Sequence, residues 1–129
     1  MKNIEEIREK LLLLNNFQEC IIESIRFLKF ATTIEIDFDY IWDDNKNVRK
    51  NLKDKKIITL RFELVEKFLL ENIFTQGIDN VDFLNWSYNE IAMIKIEDGN
   101  DKNRVKIFWE INRKRSIELT FSSLEVIST

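Results

Sequence analysis

Few residues in this chain have the types and spacing that chemistry needs. Cys20 is the only thiol, and a cysteine nucleophile needs a base to form its thiolate. The chain has no histidine, so the commonest base is missing and Cys20 reads as a small buried apolar residue. The same absence removes the commonest imidazole metal ligand. Asp37, Asp39, Asp43 and Asp44 form an acidic group at the end of a strand, where oxygen ligands could hold a hard cation. Nothing in the spacing fixes a ligand geometry, and a wet strand face running into a solvated loop gives the same pattern. Asp98, Asn100 and Asp101 begin like a calcium loop, but Lys102 stands where another oxygen is wanted and no glutamate follows at the right distance. With two glycines in the chain, phosphate-cradling loops are missing too. The expectation is a protein that is not an enzyme, with no catalytic residue, metal or cofactor.

Recognition is the remaining chemistry. Trp42 beside Lys46, Arg49, Lys50, Lys53, Lys55 and Lys56 mixes aromatic and basic residues as single-stranded nucleic acid sites do. Asp43, Asp44 and Asp54 cancel much of that field, so residues 42–56 read as a long solvated loop. Arg113, Lys114 and Arg115 read as a charged tip between strands that discourages edge pairing. Trp86, Tyr88 and Trp109 are the side chains best suited to hold a ligand or partner, because aromatics dominate interface hot spots; core packing is the competing reading for each.

The elements that must position these residues follow from hydrophobic period. Ile4, Ile7, Leu11 and Leu14 recur at helical spacing behind Asn3, predicting an amphipathic helix over residues 3–14 that Asn15 and Asn16 terminate. Residues 19–30 are extended with a blurred alternation, which predicts a strand covered on both faces for part of its length. Ile34, Ile36, Phe38 and Tyr40 point inward and Glu35, Asp37 and Asp39 outward, the pattern of an antiparallel strand with one wet face. The stretch from Ile57 to Phe74 organises the rest. Ile58, Leu60, Phe62 and Leu64 share one face, Val65 and Glu66 reverse the chain, and a second strand follows, which predicts a hairpin. A turn around Gly77 and a short helical turn over residues 81–84 lead to strands ending at Glu97, then over residues 104–112, 116–122 and 124–127. With no βαβ rhythm, the prediction is a mainly β, α+β domain: an N-terminal helix packed on an antiparallel sandwich or strongly curved sheet of about seven or eight strands.

Residues 1–129 make one domain, and its 44% hydrophobic content suffices for a single core. A net charge of −3 and a pI near 5.2 argue against a nucleic acid backbone as partner. A lone cysteine, a start rich in glutamate and apolar runs far short of a membrane span predict a cytoplasmic protein with no membrane partner.

Phe17 to Ile25, FQECIIESI, followed by an acidic alternating strand and then ITLRFELV, resembles small bacterial immunity-protein-like families associated with polymorphic toxins. Those families open on a His-Asp pair, where Gln18 and Glu19 stand here. The resemblance covers residues 17–65 in pattern. It implies an interaction protein that binds a toxin domain and neutralises it by occlusion, and the contact surface expected on that basis is Asp37, Asp39, Trp42, Asp43 and Asp44. The alternatives are a ligand-binding β module using Trp86, Tyr88 and Trp109, and a structural subunit. The oligomeric state is left open.

Overall fold

The computed structural model describes residues 3–42, 47–48, 56–71, 91–99, 104–111 and 115–128. Helix α1 (Asn3–Leu12) buries Ile4, Ile7 and Leu11, the stripe its spacing predicts, with Glu5 and Glu6 at the positive end of its dipole. It stops two residues short of the expected end. Asn15 and Asn16 then take left-handed backbone, as helix-terminating asparagines do, and Phe17 and Glu19 follow them into that region. This turn drives Phe17 into the core, with its ring centroid 4.4 Å from that of Phe38.

Among the described residues eight strands follow, β1 (Ile21–Leu28), β2 (Thr33–Asp39), β3 (Ile57–Glu63), β4 (Lys67–Glu71), β5 (Ile91–Asp98), β6 (Val105–Ile111), β7 (Arg115–Phe121) and β8 (Ser123–Ser128). They form two four-stranded antiparallel sheets in the orders β1-β2-β3-β8 and β4-β7-β6-β5. The sheets share one buried cluster. Trp109 of β6 meets Phe38 and Phe62 of the other sheet edge-on, at 5.5 and 5.9 Å between centroids.

Two expectations need correction. The stretch expected to fold as a hairpin does not: β3 pairs with β2 and β8, whereas β4 pairs with β7 in the second sheet. The favoured two-residue hairpin turns need positive φ at the first turn position or at both, which the β-branched Val65 resists. The chain instead uses one left-handed residue, Leu64, to turn a corner between sheets. At the same corner β7 passes into β8 through Ser122, and the Glu66 and Ser122 amides donate across the ribbon to Thr120 and Glu63. Arg104 holds this corner, donating to the Leu64 carbonyl and to Ser122 Oγ and lying 3.4 Å from Glu66.

The second correction concerns β1, an edge strand whose cover on both faces is confined to Ile21 and Ile22 and gives way to mostly exposed residues after them. A β-bulge between Ile22 and Ser24 explains the blurred pattern, because it moves the inward positions from Ile22 to Ile25 and Phe27. At the β5–β6 turn Gly99 is required: a Cβ there would lie 2.7 Å from Arg104 Cβ. Among the described residues no helix is long and apolar enough to cross a membrane.

Candidate interaction surface

The outer face of the first sheet carries a ladder of alternating charge. Arg26, Glu35, Arg61 and Glu125 sit directly opposite one another across β1, β2, β3 and β8. Arg26 Nε donates to Glu35 Oε1 at 3.2 Å, Arg61 Nε to Glu35 Oε2 at 2.7 Å, and Arg61 reaches Glu125 at 3.3 Å. One row along, Asp37 accepts from Ser24 and Thr59, each at 2.6 Å, and from both terminal nitrogens of Arg26. Cross-strand pairs of opposite charge suit an antiparallel sheet, and forked guanidinium contacts are the strongest of them.

These contacts fix the ionisation of the row. Hydrogen bonds from Arg26, then from Ser24 and Thr59, hold the Asp37 carboxyl well below the usual range against the opposing effect of burial. Arg61, then Arg26, lower Glu35 in the same way, and the arginines are raised in turn. Glu118 on the second sheet is lowered by Lys67 and Lys106.

The expected contact residues separate in the structure. Asp39 is 1% exposed and Glu35 8%, so the face expected to be wet is largely dry and is corrected there. Asp37 is committed to Arg26, Ser24 and Thr59. Trp42 is half-buried, and its indole donates to the Gln18 carbonyl at 2.8 Å. Asp43, Asp44, Trp86 and Tyr88 lie outside the described residues. Trp109 is fully buried in the core and offers no surface to a ligand. Cys20 is buried. Among the described residues no cluster of three or more Cys, Asp or Glu side chains could hold a metal ion. Asp98 and Gly99 begin the β5–β6 turn; the other residues of the calcium-like stretch, and Arg113 and Lys114 of the basic tip, lie outside the described residues.

An exposed apolar group lies elsewhere, at the tip of the β1–β2 hairpin. Lys29, Phe30 and Ala31 are all left-handed, and the Phe30 side chain is fully exposed. The Val65 amide donates to the Thr32 carbonyl, which brings the corner residue Leu64, itself 61% exposed, beside this tip. Leu28 adds a third exposed apolar side chain. Sequence reasoning missed this group because exposure at a turn depends on backbone conformation that Lys-Phe-Ala does not announce.

No family model matches the chain, and no curated protein matches it. Its fold resembles the crystal structure of an uncharacterized protein from Neisseria gonorrhoeae, with a TM-score of 0.54 at 14% identity over 84% of this chain and 90% of that one.

Proposed function

We propose that this chain is a cytoplasmic, non-enzymatic interaction protein of the immunity type, which binds a toxin domain and blocks it by occlusion. The observation that carries this reading is the exposed apolar end formed by Phe30, Leu64 and Leu28, of which Phe30 and Leu64 sit on left-handed backbone at the β1–β2 turn and at the corner beside it. Each such residue costs on the order of 1 kcal/mol, a strain of the kind found at binding and switch sites. Two antiparallel sheets bent over a common corner, read here as the halves of a sandwich, form the rigid frame. Exposed aromatic and aliphatic anchors on such a frame suit a partner's pocket, because they bind with little further ordering.

The double substitution Phe30→Ala and Leu64→Ala tests this surface. It should weaken partner binding at least about tenfold while leaving Tm within a few degrees, since neither side chain belongs to the core. Undiminished affinity would remove the tip as the contact. Charge reversal at Asp43 and Asp44 tests the acidic surface beside Trp42 separately: a fall in association rate that salt abolishes would place it in the contact.

A further inference from the structure

We propose that the two outer strands of the first sheet, which pair with no further strand among the described residues, have complementary edges, so that β1 of a second copy of this chain pairs antiparallel with β8 beyond the Ser122 carbonyl that Asn3 of α1 occupies. The first sheet has an even number of strands, all antiparallel, so a β1 placed beside β8 already runs in the required direction. The edges also agree in hydrogen-bond phase. The Leu124 carbonyl accepts from Lys10 Nζ at 3.0 Å, so it points off the sheet, and the two-residue period turns the polar groups of Val126 and Ser128 the same way. Carrying that phase across β3 and β2 leaves Ile25 and Phe27 as the β1 residues whose backbone groups face outward. Among the described residues nothing pairs with these outward groups of β1, nor with those of Val126 and Ser128.

One register satisfies phase, charge and apolar pattern together. It sets Ile25 of the second copy opposite Val126 and Phe27 opposite Leu124, which places Arg26 opposite Glu125. The charge ladder Arg26–Glu35–Arg61–Glu125 then continues without a break in sign, because it begins on a cation at one edge and ends on an anion at the other. Pairing two β1 edges about an axis at Arg26, or two β8 edges about an axis at Glu125, would instead oppose like charges. On the inner side, Ile25 and Phe27 of the second copy would flank a cleft of about 620 Å³ lined by Lys10, Leu13, Leu14, Leu124, Glu125 and Val126, with Phe27 keeping its edge-on contact to Phe68 of its own chain. Leu13 is strongly exposed and Phe27 half-exposed in the single chain, so both gain cover. Lys10 limits the association by occupying the Leu124 carbonyl. The contact is head-to-tail and leaves each pair with a free edge at either end. It does not involve the Phe30 tip, so it stands or falls apart from the proposed function.

Sedimentation velocity of the full chain over a concentration series tests the pairing. The average mass should rise above the 15.6 kDa of one chain as concentration increases. Val126→Pro removes an outward amide that makes no bond to β3, so the fold, checked by circular dichroism, should persist while association weakens at least about tenfold. Lys10→Met frees the Leu124 carbonyl and should tighten association about fivefold. Glu125→Arg and Arg26→Glu should each weaken it several-fold, and their equimolar mixture should recover it. Wild type and Lys10→Met both remaining at one chain near about 1 mM would overturn the proposal, as would association that survives Val126→Pro. Small ligands or foreign strands occupying the cleft of a chain that stays single at that concentration would overturn it as well.

Discussion

The two faces of β2 are both kept from water, by opposite means. On the inner face Ile34, Ile36 and Phe38 are fully buried against Phe17, Trp109 and the rest of the core, where stability comes from apolar area and close packing. On the outer face Thr33, Glu35 and Asp39 are buried and Asp37 partly so, although among the described residues no second sheet lies over them. Over Glu35 and Asp37 the long side chains of Arg26 and Arg61 reach across from the neighbouring strands, Arg26 to both carboxylates and Arg61 to Glu35. The comparison teaches that strict alternation identifies which face is apolar without saying that the other face is wet. A central strand has neighbours on both sides, and these can reach across it.

The difference is tested most strongly from the inside. Trp109→Ala should cost about 3–5 kcal/mol and lower Tm by well over ten degrees in thermal denaturation. Trp109→Phe should cost much less, because the indole nitrogen has no hydrogen-bond partner among the described residues and so orphans none of them. Glu35→Ala on the outer face should cost about 1.5–3 kcal/mol by urea denaturation, since it removes two charge-assisted hydrogen bonds at once while Arg26 keeps Asp37 and Arg61 keeps Glu125. A cost equal to that of Trp109→Ala would mean that the ladder carries as much stability as the core.

Acid separates the faces without mutation. Asp37 and Glu35 have carboxyls lowered in the folded state by their arginine partners. The stability they contribute is therefore fully present above the unfolded carboxylate range, about pH 4–4.5, and is lost as pH falls through the folded values. Tm should decline progressively below about pH 5. The double variant Asp37→Asn and Glu35→Gln should flatten that part of the curve; an unchanged acid limb would assign the loss to other carboxylates. The smallest effect belongs to the rim. Glu125→Ala should change stability by about 0–1 kcal/mol, and salt should erase even that.

The sequence made the inner face legible and the outer one only in outline. Ile34 to Tyr40, Ile58 to Phe62 and Val105 to Ile111 alternate cleanly, and each is a strand with its apolar residues buried. Asn15 and Asn16 marked the end of α1 because few other residues accept left-handed backbone cheaply. The bulge in β1 could not be read, since one inserted residue leaves apolar residues on both parities. Nor could the corner at Leu64, because a strand that bends into a second sheet has the same alternation as one that folds back. Asp39 looked solvated because its cover comes from residues such as Lys56, whose amide approaches it at 3.4 Å from 17 positions away. The outer partners Arg26 and Arg61 were visible as residues on the polar parity, but their register against Glu35 and Asp37 depends on strand order, which local pattern does not contain.

The central claim is that this frame exists to present a contact to another protein. Its most direct test is a tagged pull-down from the source cells, made in parallel with wild type and with the Phe30→Ala and Leu64→Ala double variant, followed by mass spectrometry and a toxicity assay on whatever is bound. The account predicts one stoichiometric partner, toxic alone, neutralised by wild type and released by the variant. A partner retained equally by both proteins, or none at all with wild type, would contradict it.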